Sequence, residues 1–193
     1  MSERPPGAAI IETVTTTINP DRTVNCAAMG VEWGDETIVI KPYRPTRTLR
    51  NLRATGAAVV NLTDDILLFT QAALGDPRPP TRPAATIDGA VLADACSWRE
   101  VTVEAIDASE PRARVTTHVV GRGVAREFLG FNRARHAVLE ASIIASRASR
   151  LRAAEIRAEL ERLQVLVDKT AGPREREAME VVRRHVRAAV GNG

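Results

Sequence analysis

Ile38 to Asn61, IVIKPYRPTRTLRNLRATGAAVVN, is the stretch whose reading decides the fold. Ile38-Val39-Ile40 is β-branched throughout and suits a buried strand. Pro42 and Pro45 keep the residues that follow out of a ladder. Thr46 is placed to cap a helix over Arg47 to Thr55, which Gly56 closes. Ala57 to Leu62 then resumes as a strand. This arrangement sets Thr46, Arg47 and Thr48 at the free N–H groups of a helix start, with Arg44 just ahead of them. A helix N-terminus favours an anion, and a guanidinium adds a bidentate donor to phosphate oxygens. The spacing therefore offers a phosphate cradle without the glycines of a Walker or dinucleotide loop. Arg44, Arg47, Arg50 and Arg53 also recur every three residues, as a solvated helix face does, and the spacing alone does not choose between the two.

Upstream, Met1 to Gly7 reads as a loose tail. Ala8 to Ile18 is β-rich, Asn19-Pro20-Asp21 is a turn, and Val24 to Trp33 is the returning strand. After a turn at Gly34-Asp35, Glu36 to Lys41 makes the third strand of an antiparallel meander. Cys26, Ala27, Ala28 and Gly30 are small for a strand, so something approaches its backbone closely, either a ligand or a packing partner.

Downstream, Thr63-Asp64-Asp65 offers caps for a short helix over Ile66 to Leu74, although so apolar a run also suits a strand. Asp64-Asp65 fits capping better than a metal pair, and no metal site is legible. Four prolines between Pro77 and Pro83 exclude a helix there; Asp76 to Ser97 is expected to be a surface excursion, of the kind that is often mobile and sometimes covers a site, with a short strand or helix near Asp88 to Ala95. Trp98 to Asp107 alternates, with Val101, Val103 and Ala105 on one face and Thr102, Glu104 and Ile106 on the other. Ala113 to Val120 is the sixth strand. Six strands with two short helices fit a small antiparallel barrel. From Phe128 the pattern turns helical: Arg133 to about Ser149 capped by Asn132, Arg152 to Lys169, and a last helix opened by Pro173. The expected fold class is α+β, with a barrel domain over 1–125 and a helical region over 126–193.

The chain has 193 residues, 44% of them hydrophobic but only 3% aromatic. A core of this size excludes global disorder, and so few rings argue against a stacking platform for single-stranded nucleic acid. The first 120 residues carry a slight excess of acid and the rest an excess of arginine, interleaved with glutamates, which makes nucleic acid an unfavoured partner. Cys26 and Cys96 form no metal motif, and a reducing cytosol suits them. No apolar run approaches ~20 residues, so the expectation is a soluble, cytoplasmic protein.

Three histidines, His118, His136 and His185, form no legible catalytic group. Asn132, Arg133 and His136 partly share one face at a helix start. They suit an anionic ligand and suit simple capping equally well. Without an evident nucleophile or base, any reaction would rest on a cofactor.

The segments IIETVTTTINPDRTVNCAAMGVEW, KPYRPTRTLRNLRATGAAVVNLTDDILLF and GFNRARHAVLEASIIASR resemble a family of FMN-binding split-barrel proteins, found in archaea and in bacteria with methanopterin-linked one-carbon metabolism. The resemblance covers nearly the whole chain and extends more distantly to flavin reductases and pyridoxamine-phosphate-oxidase-like barrels. It implies a six-stranded antiparallel split β-barrel of Greek-key topology with a C-terminal helical extension, a homodimer and bound FMN. It places the FMN phosphate at Arg44, Thr46, Arg47 and Thr48, and the flavin ring against Ala28 and Met29 on the second strand and Asn61 and Thr63 on the fourth. Asn132, Arg133 and His136 would meet the flavin edge or a substrate. The function so implied is an FMN-dependent oxidoreductase acting on a small molecule; the alternative is a non-catalytic flavin carrier or sensor.

Overall fold

The computed structural model describes residues 9–190; the tail expected over Met1–Gly7 lies outside the described residues. Strands β1 (Ala9–Ile18) and β2 (Val24–Trp33) pair along their full lengths, from Ile18 opposite Val24 to Ala9 opposite Trp33. The turn between them is held by Asn19, whose N–H donates to Thr23 O, and by the Asp21 carboxylate, which accepts from the Thr23 N–H and hydroxyl. Strand β3 (Thr37–Ile40), helix α1 (Arg47–Thr55), strand β4 (Ala57–Leu62) and helix α2 (Ile66–Leu74) follow. A short hairpin, β5 (Thr81–Pro83) and β6 (Ala90–Leu92), precedes the long strands β7 (Ser97–Asp107) and β8 (Arg114–Val124).

The barrel closes in the order β1-β2-β3-β8-β7-β4, with β4 pairing back onto β1 and every pair antiparallel. A meander followed by a crossing to β8 is a Greek key, so the chain builds the α+β split barrel with C-terminal helices that its sequence implies. Val31, Ile38, Ile40, Val60, Val101 and Val115 fill the interior. Leu49 and Leu52 of α1 join them, which fixes the helix to the barrel. Beside these leucines sits a polar plug. Thr17 Oγ1 accepts from the amides of Asn25 (3.1 Å) and Asn51 (3.0 Å), and Asn25 also donates to Thr48 Oγ1 (3.2 Å). Each group is buried, and each is paired, as low dielectric demands.

The alternation expected along β7 breaks after Val103. A register shift between Val103 and Ala105 leaves Glu104 as the extra residue, because Val103 pairs with Thr117 and Ala105 with Thr116. A bulge of this kind flips the side-chain phase. Ile106, expected opposite Val103, therefore packs against the same core. On the small-residue strand β2, Gly30 receives side chains from β1: a Cβ there would lie 2.7 Å from Ile10 Cγ2.

The excursion before β7 is tied down by polar contacts. Asn61 is fully buried; its amide donates to Val14 O (3.0 Å), and its oxygen accepts from the Leu92 N–H (3.0 Å). Thr16 donates to Ala90 O, and Arg22 makes a bidentate pair with Asp88. Glu100, 2% exposed, accepts from the backbone N–H groups of Ala85, Thr86 and Ile87 and from the Trp98 indole. The segment that its prolines mark as a loop is thus a hairpin buttressed by buried carboxylate and amide groups.

Trp98 lies against Gly123, with the Arg82 guanidinium 4.3 Å from the ring centroid. A Cβ on Gly123 would come within 2.1 Å of Trp98 Cζ2. Gly123→Ala must displace the indole from Arg82 and Glu100, and should cost about 1–3 kcal/mol, as overpacking does. Thermal denaturation checks this; an unchanged melting temperature would show that the ring moves freely.

The second compact unit takes Asp64–Pro77 together with the residues from Phe128 onward. It comprises α2, α3 (Arg133–Ala145), a turn of 3-10 helix at Ala148–Arg150, α4 (Ala153–Thr170) and α5 (Pro173–Val190). α3 stops at Ala145, four residues before the expected end. Ile156, Leu160, Leu163 and Val167 bury one stripe of α4, and Ala178, Met179, Val182 and Val186 bury one stripe of α5. Asp65 caps α2 by accepting from the N–H groups of Leu67 and Leu68, both at 3.1 Å.

Candidate functional site

The turn from β3 into α1 is stapled to the β7–β8 connection. Pro42 O accepts from Ala113 N–H (2.9 Å), the Arg44 N–H donates to Pro111 O (3.0 Å), and Tyr43 pairs with Arg112, whose guanidinium lies over the tyrosine ring. Thr46 is the N-cap. Its Oγ1 accepts from Leu49 N–H and donates to Tyr43 O (2.7 Å), so the hydroxyl fixes the turn. Gly56, at φ 66°, closes the helix with its N–H on Leu52 O. The apolar side of α1 faces the core. Arg44, Arg47, Arg50 and Arg53 are all exposed. α1 contains no acidic residue, and Arg44, Arg50 and Arg53 have no ion-pair partner among the described residues.

Of the four residues assigned to a phosphate, Arg44, Thr46 and Arg47 share this turn. Thr48 is turned inward, where it accepts from Asn25. Ala28 and Asn61 flank Val14 on either side across the ladder, since Val14 pairs with both. Ala28 is half-buried, whereas Asn61 is buried with both ends of its amide engaged. Met29 packs against the core, and its carbonyl accepts from Thr13 Oγ1. Thr63 is half-buried just beyond β4. In the helical unit, Asn132 caps α3 by accepting from the Arg135 N–H (3.0 Å) and donates to Thr170 O (3.2 Å). Arg133 and His136 are exposed.

Besides Glu100, two buried carboxylates, Glu32 and Glu175, have no local signature in the sequence. Glu32 on β2, 2% exposed, takes a bidentate pair from Arg114 (2.9 and 2.7 Å) and a third bond from Lys41 (3.2 Å). Burial alone would raise its carboxyl, but the two cations outweigh that and hold it below the ordinary glutamate range. In the helical unit, Arg135 bridges Asp64 (3.3 Å) and Glu175 (3.0 Å). Burial again opposes the charge on Glu175, and Arg135 and the Gly172 N–H prevail.

The class that the fold and this turn define is a closed Greek-key barrel bearing an arginine-flanked helix start. The chain belongs to the DUF447 family: the model described as protein of unknown function (DUF447) N-terminal domain matches residues 11–126, and that described as protein of unknown function (DUF447) matches 132–184. Its fold is similar to that of the FMN-bound protein MM1853 from Methanosarcina mazei, also of DUF447, at 19% identity and a TM-score of 0.80, covering 92% of this chain and 95% of that one. The flavin reductase of styrene monooxygenase from Pseudomonas putida S12 gives 16% identity and a TM-score of 0.52, over 61% of this chain and 80% of that one. An FMN-binding protein from Thermus thermophilus, solved with p-hydroxybenzaldehyde, gives 12% and 0.53, over 68% and 83%. Among the described residues no helix is long and apolar enough to cross a membrane.

Proposed function

We propose that this chain binds FMN in its barrel unit and acts as an oxidoreductase through it. The observation that carries the reading is the β3–α1 turn, with exposed Arg44 and Arg47 guanidiniums beside a capped helix start that holds no acid. That donor set fits a phosphate dianion, since charge-assisted bidentate bonds and the first-turn N–H groups act together. Arg44 and Arg47 would hold the phosphate, with Thr46 keeping the turn in shape. Ala28 is a small, half-buried residue on β2 against which a ring would rest, and Thr63 stands half-buried just beyond β4. The fold shared with an FMN-bound protein over most of both chains supports the same cofactor. When bound, FMN supplies a ring that accepts and returns a hydride; the chain's own part is to bind, orient and shield it.

The test is the visible spectrum of the purified protein after FMN is added and the sample is desalted. The expected result is retained flavin bands, about one flavin per chain, that bleach on adding a reduced nicotinamide. A protein that never retains FMN would remove the cofactor reading; one that retains FMN but resists every small-molecule reductant would point to a carrier.

A further inference from the structure

Within the helical unit, the stretch from Phe128 that leads into α3 carries aromatic side chains that the unit's core does not use. The whole chain has only three phenylalanines, and two of them, Phe128 (53% exposed) and Phe131 (90%), stand in water with Leu129 (74%) between them. Phe128 and Phe131 meet edge to face at 6.2 Å, and Phe131 meets the His136 ring the same way at 5.6 Å.

The segment is fastened on both sides. The Leu129 N–H donates to Asp64 Oδ2 (3.2 Å), the Asp64 carboxylate is held by Arg135, and Arg135 is held by Glu175. On the far side Asn132 is bound at both ends of its amide. The rings are therefore presented by a fixed backbone, and their exposure has no structural return within the unit. Exposed rings held edge to face suit a planar partner that stacks on one ring and meets the edge of the next. Arg133, the next residue after the cap, is exposed and has no ion-pair partner among the described residues. Arg133 and His136, three residues apart, are neighbours on the surface of α3, so a cation shares the helix start with the ring that Phe131 meets, and it favours a partner that carries negative charge.

We propose that Phe128, Phe131, Arg133 and His136 form a seat for a planar aromatic anion, a small molecule with a carboxylate or phosphate on its ring system. The inference stands on the helical unit by itself and does not depend on the FMN reading. It also changes the part of Asn132, whose amide holds the backbone and is a positioning group.

Two small probes test it on the full chain: 2-naphthoate and its neutral amide, 2-naphthamide. With only three histidines, the imidazole proton signals are readable one by one. Added 2-naphthoate should shift the His136 signals by its ring current and leave His118 and His185 in place. The amide should bind about 10-fold more weakly, the effect of one lost charge-assisted contact. Phe131→Ala should abolish the shift, and Arg133→Gln should make the two probes equal; both sites are exposed, so circular dichroism should stay unchanged. No His136 shift at millimolar probe, or equal binding of acid and amide by the unaltered protein, overturns the proposal. So does a Phe131→Asp variant that turns a dimer into a monomer by sedimentation, because the patch then belongs to a second copy of the chain. Flavin bands retained by the same samples score the cofactor reading separately.

Discussion

FMN affinity should fall by about 10²–10⁴-fold in the double variant Arg44→Ala, Arg47→Ala, with little change in the melting temperature of the FMN-free protein. Each guanidinium–phosphate contact is worth about 1.5–3 kcal/mol, and each 1.4 kcal/mol is about tenfold in affinity. Both side chains are exposed, so the folded state loses little with them. The control is Arg50→Ala, Arg53→Ala, which removes the same charge from the same helix, farther from its start. It should weaken binding by less than about tenfold, since long-range charge at the surface is screened by salt. Titration followed by quenching of flavin fluorescence reads both. Equal losses in the two pairs would mean a diffuse basic surface and no phosphate cradle. Thr46→Ala is predicted to act differently: its hydroxyl is spent on Leu49 N–H and Tyr43 O, so the loss should appear as about 0.5–2 kcal/mol of stability.

Glu100→Gln should be the most destabilising polar substitution in the barrel, at about 3 kcal/mol or more. The carboxylate is an acceptor surrounded by donors: three backbone N–H groups and one indole. An amide nitrogen in place of one oxygen would face N–H groups with N–H groups, leaving several buried donors unpaired at about 1–3 kcal/mol each. Hydrogen exchange at Ala85–Ile87 should rise with it. If exchange there is unchanged, the hairpin is held by Asn61 and Thr16 alone.

The pH dependence follows from the same group. Burial raises the Glu100 carboxyl, but the N–H donors more than cancel that and leave it below its ordinary value. A depressed carboxylate contributes stability that is full above the unfolded value, about 4.3, and is lost as pH falls through the folded value. Glu32 and Glu175 are shifted the same way. Stability should therefore be flat near neutrality and fall below about pH 4. The gap between Glu100→Gln and the unaltered protein should narrow over that same acid range.

Much of this architecture is legible in the residues because it is local. Thr46 and Gly56 bound α1, Pro173 opens α5, and β-branched runs between turn residues give the barrel strands. The parts that escape sequence reading depend on distant partners. Glu32 and Arg114 lie 82 positions apart, and neither has a local pattern that names the other. The β7 bulge is set by pairing with β8, so alternation read along β7 alone puts Ile106 on the wrong face. The excursion after α2 carries proline and glycine like any loop, and the residue that orders it, Glu100, lies beyond it in the chain. Thr48 reads as a phosphate ligand by position, but the buried amide of Asn25 takes its hydroxyl into the barrel.

Because α2 belongs with the last helices, the two units are not made one after the other on the ribosome. α2 leaves the exit tunnel between β4 and β7, while α5, against which it packs, is synthesised about a hundred residues later. At the usual 5–20 residues per second, Ile66, Leu67 and Phe69 would wait on the order of 5–20 seconds for their cover. About halfway through that interval, once Val124 is made, the barrel strands become complete, with a greasy helix tethered to them in the chain on both sides. A nascent chain released after Glu127 would keep all six barrel strands and still carry that helix without the partners that bury Ile66, Leu67 and Phe69.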